Sequence, residues 1–402
     1  MGIVVQKFGG SSVADADKVF NVAGRVADEY DKGNSVVVVV SAQGDTTDDL
    51  IEKAYEINKK PSKREMDVLL TAGEQISMSL LAMALEKKNY PVVSLTGWQA
   101  GIKTTMAYSS ARIEKINIAR IVSELDKNNI VIVAGFQGVN NITDITTLGR
   151  GGSDTSAVAL AAALKADICE IYTDVDGVYT ADPRIVKNAI KLNDVSYDEM
   201  LELASLGANV LHNRSVEMAK KYNVDLEVKS SFNKVAGTKV KEAGSVEKML
   251  IRGVTRDNDV ARISVVGIED KPGKAYKIFS LLSKKNINVD VILQSIGRDN
   301  TKDISFTVSK AHLEESVKIL NDNLANIEAS KIDFTDKVSK VSIVGAGMAS
   351  NPGVATAMFE ALYESGINIH MISTSEIKVS VLVDEDNASN AVACIHDKFF
   401  NA

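Results

Sequence analysis

The stretch IVVQKFGGSS, Ile3 to Ser12, decides how the first half of the chain is read. Ile3–Lys7 is a short apolar run of strand type, and Gly9-Gly10 ends it. A helical pattern follows from Ala16. Consecutive glycines let backbone N–H groups approach an anion, and the next helix start adds a positive dipole. Lys7 offers a point charge to phosphate oxygens. The turn is not a Walker A loop, because its lysine precedes the glycines. Read alone, such a turn either holds a ligand or simply reverses the chain.

Working outward, the same strand–turn–helix rhythm recurs. Val36–Ser41, Val92–Ser94, Ile130–Ala134 and Ile168–Thr173 are further strand candidates. They are continuously apolar, as strands covered on both faces are. Between them Ala16–Lys32, Asp49–Asn58, Arg64–Asn89, Ser110–Asn128 and Ser153–Lys165 carry apolar residues at three- and four-residue spacing. This succession predicts an α/β domain, a mostly parallel sheet sandwiched by helices, reaching about Val240.

Beyond it the chain repeats itself. ISVVGIEDKPGKAYKIFSLLSKKNINVDVILQ (263–294) is echoed by VSIVGAGMASNPGVATAMFEALYESGINIHMIST (341–374). Pro272-Gly273 recurs as Pro352-Gly353 and Ile287-Asn288 as Ile367-Asn368, each 80 residues on. Two copies of one unit are therefore expected. Each copy is followed by a strand (Ile304–Ser309; Val379–Val383) and a helix (Ala311–Leu324; Ala388–Phe400). The order β-α-β-β-α begins a ferredoxin-like unit, which needs one more strand. Copy one has Ile327–Phe334. Copy two has none after its last helix. The run Lys248–Val254 either completes copy two, with copy one inserted, or is a linker strand.

Composition narrows the class. The chain has 402 residues, 45% hydrophobic and 25% charged, which excludes wholesale disorder. Its 46 Lys+Arg against 53 Asp+Glu give a net charge of −7, against a globally basic nucleic-acid binder. Cys169 and Cys394 are the only cysteines, too few for a disulfide framework or a Cys-based zinc site. No uninterrupted apolar run reaches the roughly 18–20 residues of a membrane helix. The start MGIVVQKFGG lacks the pattern of a signal peptide, and Gly2 is a poor myristoylation signal before a strand. A cytoplasmic protein without nucleic-acid or membrane partners is expected.

Further turns follow strand ends, where open α/β sheets bind ligands. Ser41-Ala42-Gln43-Gly44-Asp45-Thr46-Thr47-Asp48 is one, and Thr147-Leu148-Gly149-Arg150-Gly151-Gly152-Ser153-Asp154 another. Together they point to one shared phosphate site. Arg150 suits bidentate pairing with a carboxylate or phosphate, or a surface ion pair. Asp154 either caps its helix or faces Lys7. Thr173-Asp174-Val175-Asp176-Gly177-Val178-Tyr179-Thr180-Ala181-Asp182-Pro183-Arg184 is acidic, but Ile185 stands where an EF-hand needs its closing carboxylate. A nucleotide loop suits it better. Glu74 is one acid in the apolar stretch Leu69–Met83, and is either a surface charge or a ligand for an ammonium. His212, His312, His370 and His396 are scattered, which gives a histidine metal site or a Ser-His-Asp triad little support. Cys169 and Trp98 read as packing.

These residues together resemble a known family. KFGGSSV (7–13), SAQGDTTDDL (41–50), LLTAGEQ (69–75), TTLGRGGSDTSA (146–157) and TDVDGVYTADPR (173–184) resemble the aspartate kinases, within the amino acid kinase superfamily. The tandem repeat, with VSIVGAGM (341–348) and ISTSEIKVSVLV (372–383), resembles that family's paired ACT domains. The match runs in order along nearly the whole chain. Ser11 stands where threonine is commoner, and no homoserine dehydrogenase extension follows Ala402, so the monofunctional form is resembled.

The resemblance implies an αβα sandwich of amino-acid-kinase type over 1–240, an ACT domain over 260–335, and a second over 246–256 plus 338–402. It implies ATP-dependent phosphorylation of the β-carboxylate of L-aspartate, the entry to lysine, threonine and methionine synthesis. That acceptor is already ionised, so no general base is required and the lack of a catalytic histidine fits. Carried over by motif, Lys7 contacts the ATP phosphates with Phe8, Gly9, Gly10 and Ser41, and Asp154 orients Lys7. Thr173, Asp174, Tyr179, Asp182, Arg184, Lys229 and Ser230 line the nucleotide. Thr47, Glu74 and Arg150, with Gly151, Gly152 and Ser153, hold aspartate, Glu74 on its ammonium and Arg150 on its α-carboxylate. Thr46 is an alternative to Thr47. Mg²⁺ is held mainly by the nucleotide. Lysine, threonine or both are expected as effectors at the ACT units, near Asp270, Gly273, Ala275, Gln294, Asn368 and Ile369. A homo-oligomer, a dimer or dimer of dimers, is expected through the ACT units. Competing readings keep the fold but change the acceptor to glutamate, N-acetylglutamate or a nucleotide, or make the chain a non-catalytic amino-acid sensor.

Overall fold

The structure is a computed structural model that describes residues 2–208, 210–242, 250–295, 300–346, 348 and 351–401. The chain divides into two units. The first takes Met1–Val178, Lys191–Ala204 and Asn209–Val246; the second takes Tyr179–Ile190, Ser205–Ala208 and Glu247–Ala402.

In the first unit the valine- and isoleucine-rich runs form one eight-stranded sheet. Its order is Asp194–Ser196, Thr238–Lys241, Leu226–Ser230, Ile168–Thr173, Ile3–Phe8, Ser35–Val40, Ile130–Ala134, Val92–Leu95. The pairs are parallel except Leu226–Ser230 with Thr238–Lys241. Val36, Val38, Val40, Ile130 and Ile132 pack on one face with Val19, Val22 and Val26 of the helix Ala16–Tyr30 and with Leu81 and Leu85 of the helix Lys63–Lys87. Val37, Val39, Val131 and Val133 alternate to the other face and are equally buried. The helix Gly152–Leu164, nearly all small or apolar, covers that side. Burial on both faces explains why these strands read as unbroken apolar runs.

The helix Lys63–Lys87 has a window of 18 residues long and apolar enough to cross a membrane by length and composition alone. Half of that window is buried in the core, and Asp67 and Glu74 lie buried on it, so it is a core helix.

One expectation fails here. Ser110–Asn128 is not a single helix: Ile113–Ile116 is a strand, and only Ala119–Leu125 is helical. Ile113 and Ile116 flank two exposed charges, Glu114 and Lys115, so the apolar spacing fits either period. The Asn117 side chain accepts from Ala119 N–H and starts the helix anew. The strand belongs to a small four-stranded sheet, Ile113–Ile116, Ile102–Thr104, Gln137–Val139, Ile145–Thr147. Its members are too short and too polar to announce themselves in the sequence.

The second unit holds two four-stranded sheets. One runs Ile292–Gln294, Thr301–Val308, Ala261–Glu269, Lys331–Thr335, with the helices Lys274–Ser283 and Leu313–Asp322. The other runs Gly253–Asp257, Val338–Val344, Lys378–Asp384, Met371–Thr374, with Val354–Glu364 and Ala388–Phe400. Gly253–Asp257 pairs antiparallel with Val338–Val344, and the whole first sheet lies between them in sequence. The strand begins later than the run Lys248–Val254, whose residues 248 and 249 lie outside the described residues. The final strand of copy one is Lys331–Thr335, because Leu324–Ile327 forms a short helical turn. Gly273 and Gly353 cap equivalent helices with φ of 89° and 98°, which explains the repeated Pro-Gly.

The segment Tyr179–Ile190 does not stay with the strand that leads into it. Ala181 and Val186 join the core of Val254, Val341, Val392 and Ile395. Thr180 C=O accepts from Val254 N–H at 2.7 Å.

Candidate active site

Strand register gathers the site. Phe8 lies opposite Val40 and Tyr172, Val40 opposite Ala134, and Tyr172 opposite Lys229. The turns after Phe8, Val40, Ala134, Tyr172 and Lys229 therefore leave one edge of the sheet together.

The first turn is tightly fitted. Gly9 N–H donates to Tyr172 C=O at 3.3 Å, and Ser41 N–H donates to Phe8 C=O at 3.1 Å. Gly44 N–H donates to Gly10 C=O at 3.1 Å. A Cβ on Gly10 would sit 2.7 Å from Ala42 C=O, so only glycine lets these two turns meet. Phe8 stacks on Tyr172 with centroids 4.5 Å apart, which ties the two neighbouring strands at their ends.

Lys7 Nζ lies 2.7 Å from Asp154 Oδ1, and both side chains are nearly buried. Gly151 is the N-cap of the helix Gly152–Leu164, so Asp154 is its third residue and not its cap. A cation faces a carboxylate at a helix N-terminus, beside a glycine turn. That arrangement suits a phosphate, which the ammonium and the positive end of the helix would receive. Ser153 lies against Gly135, whose Cβ would fall 2.7 Å from Ser153 Oγ.

Glu74 is buried, not a surface charge. Its Oε1 accepts from Ala42 N–H at 3.2 Å, while Oε2 is buried without a hydrogen-bond partner. Burial pushes its carboxyl up to about 7, opposed by backbone hydrogen bonds from its own N–H and from Ala42. A buried carboxylate with one unsatisfied oxygen suits a ligand ammonium. Thr46 and Thr47 open the helix Thr46–Ile57, which starts three residues earlier than its apolar spacing indicates. The Thr46 methyl approaches Gly73, next to Glu74. Arg150 is exposed in the loop before Gly151.

On the strand side, Lys229 Nζ lies 2.8 Å from the buried Glu170. Glu170 also accepts from Gln6 Nε2 at 2.8 Å and from Tyr172 OH at 3.0 Å. Ser230 is buried, and its Oγ accepts from Phe232 N–H at 3.1 Å. Thr173 donates to Asp174 at 3.1 Å. Tyr179, Asp182 and Arg184 fall in the second unit. There Arg184 Nη2 lies 2.8 Å from Asp182 and holds that carboxyl below the usual range. Arg256 Nη1 donates to Ser389 at 2.6 Å beside them.

The residues nominated near the repeats also take definite places. Asp270 lies 2.9 Å from Lys302 at the end of Ala261–Glu269. Gly273 caps the helix that contains Ala275, and Gln294 ends an edge strand. Asn368 is exposed, and Ile369 packs on the second sheet's core.

Sequence reasoning missed Asp67, Gln6, Glu170 and Arg214. Asp67 lies seven residues before Glu74, two turns along one helix face, and that spacing was the available signal. It accepts from Ser109 and Thr147.

Comparison with known proteins follows the same lines. Residues 2–230 match the amino acid kinase family, and residues 263–324 and 341–399 match the ACT domain. An aspartokinase of Geobacillus stearothermophilus is 53% identical over 400 residues, 99% of this chain and 97% of that protein. The structure of E. coli aspartokinase III with aspartate and ADP covers 99% of this chain and 100% of that one, at 24% identity and a TM-score of 0.81. The same E. coli enzyme with lysine and aspartate gives 25% identity, a TM-score of 0.77 and 99% coverage of each chain.

Proposed function

The chain belongs to the aspartokinases of the amino acid kinase family, enzymes that phosphorylate aspartate, and on that premise we propose how its own residues carry the reaction. ATP is the donor, and the β-carboxylate of L-aspartate attacks its γ-phosphorus to give 4-phospho-L-aspartate and ADP. The single observation that carries this reading is the Lys7–Asp154 pair at 2.7 Å beside the Gly9-Gly10 turn.

Lys7 neutralises charge on the transferring phosphoryl group, and Asp154 holds its ammonium in place. Gly10 through its N–H and Ser41 through its hydroxyl receive the phosphates, while Gly9, whose N–H is bonded to Tyr172 C=O, shapes the turn. Glu74 receives the substrate ammonium on its unsatisfied oxygen, Arg150 the α-carboxylate, and Thr47 or Thr46 completes the pocket. Catalysis then rests on positioning and charge stabilisation, since the acceptor needs no deprotonation. Magnesium would be held mainly by the phosphates. The hard oxygen donors Ser41 and Asp154 suit such an ion, which keeps most of its waters.

Residues 1–240 serve as catalytic domain, apart from 179–190 and 205–208, which fall in the second unit. Residues 260–335 and 246–256 plus 338–402 serve as the two ACT domains, of which 246–249, 296–299, 347, 349, 350 and 402 lie outside the described residues. Lysine, threonine or both act as effectors there, and the lysine complex of the similar E. coli enzyme supports this. A cytoplasmic homo-oligomer joined through the ACT domains, at the head of lysine, threonine and methionine synthesis, follows from the same reading.

Aspartate-dependent ADP release tests it. Lys7→Ala should lose at least about a hundredfold in kcat while effector binding persists. Unchanged turnover would remove Lys7 from the mechanism.

A further inference from the structure

The loop that carries Arg150 is short and pinned from two sides. Thr147 and Leu148 lead directly into Gly149-Arg150-Gly151. On one side stands Asp67, fully buried on the helix Lys63–Lys87. Its carboxylate accepts from Thr147 N–H at 2.9 Å and Thr147 Oγ1 at 2.8 Å. It also accepts from Ser109 N–H at 2.9 Å and Ser109 Oγ at 3.2 Å. On the other side stands Arg214, in the helix Asn213–Tyr222. Its Nη1 donates to Leu148 C=O and its Nη2 to Ala111 C=O, both at 2.8 Å.

A carboxylate thus gathers the N–H and hydroxyl groups of two neighbouring backbone segments, and a guanidinium gathers their carbonyls. The segments are also joined directly, Ala111 N–H to Thr147 C=O at 2.9 Å. This polar clasp is costly to bury and is satisfied on both sides, so it admits one conformation of the loop.

We propose that Asp67 and Arg214 are positioning residues for aspartate, which hold the Arg150 loop in register with Glu74. Asp67 and Glu74 share one helix face, so the helix ties the carboxylate end of the substrate site to its ammonium end. The inference rests on the reading that Arg150 and Glu74 hold aspartate. Lys7 and the glycine turn sit on other strands, so the clasp acts on aspartate more than on ATP.

Steady-state kinetics on the full chain test this. Asp67→Asn keeps the shape but offers an amide to donors, and should raise the KM for aspartate about tenfold to a hundredfold. The KM for ATP and kcat should change by no more than about threefold. Placed in an Arg150→Ala background, Asp67→Asn should add less than about twofold, because the two act through one contact. Thr147→Val, which removes only the hydroxyl, should raise the aspartate KM by a few-fold, and Thr147→Ser should restore it. This pair carries the test if Asp67→Asn does not fold. A purely structural clasp would lower the active fraction, and so kcat, with the aspartate KM at its wild-type value. That result, or equal factors with and without Arg150, would overturn the inference and leave the Arg150 reading standing. An unchanged aspartate KM in Arg150→Ala alone would instead sink both.

Discussion

At the residue scale, the site rests on two carboxylates in opposite surroundings. Asp154 is matched by a cation, Lys7. Glu74 is buried without one, and its carboxyl is raised from 4.5 to about 7. The folded state therefore binds this proton more tightly than the unfolded chain does. The stability that follows is complete below about pH 4.5 and is lost as pH rises through about 7. Glu74→Gln should accordingly raise the thermal midpoint at pH 8 and leave it unchanged at pH 4.5; an equal shift at both would refute the assignment. On the proposed role of Glu74, aspartate binding needs the ionised form, so its affinity should be about tenfold weaker at pH 6 than at pH 8. Calorimetric titration across that range checks this, and Glu74→Gln should bind weakly at both ends. Lys7, Glu74 and Asp154 stand out in the sequence because each is a charge set among glycines or apolar residues. Asp67 and Glu170 are equally buried, but their partners lie 42 to 80 residues away for Asp67 and, Tyr172 apart, 59 to 164 away for Glu170. No local pattern reports such pairings.

At the element scale, legibility follows burial. The central strands and the helices Ala16–Tyr30 and Ala388–Phe400 show in the sequence because one clean periodicity covers each. The strand Ile113–Ile116 is hidden, since four residues with two apolar ends fit either period. The excursion Tyr179–Ile190 is hidden for another reason: its residues are ordinary, and its partners come from the far end of the chain. Thr180 Oγ1 lies 2.8 Å from the buried His396 Nε2 and accepts from Ile190 N–H at 2.9 Å. His396 looked like a scattered histidine, and is instead a core anchor stacked on Phe400. Thr180→Val leaves both partners unsatisfied and should cost about 1–3 kcal/mol, read as a lower urea midpoint of the second unit. A variant as stable as the wild type would show that the bond contributes nothing. Burial holds the His396 imidazole below its usual range, opposed by Asp397. The stability that this neutral imidazole contributes is therefore present above about pH 6.5 and declines as pH falls below it.

At the scale of the whole molecule, one acceptor chemistry explains the composition. Four histidines and two cysteines suffice because the reaction needs phosphate-cradling turns and an ionised acceptor, not a protein nucleophile or base. The tandem repeat was legible because an 80-residue offset survives sequence drift. An effector acts only through unequal affinity for two states of the enzyme. Lysine and threonine, titrated separately and together, should lower activity through the ACT units; activity indifferent to both would leave those units without the proposed role. The central claim is that this chain phosphorylates aspartate with Lys7 at the phosphate. Its most direct test traps the acyl phosphate with hydroxylamine after incubation with ATP and each candidate acid. Aspartyl hydroxamate should form with the wild type, with none from glutamate or N-acetylglutamate and none from Lys7→Ala. No aspartyl hydroxamate from the wild type, or an undiminished yield from Lys7→Ala, would contradict the account.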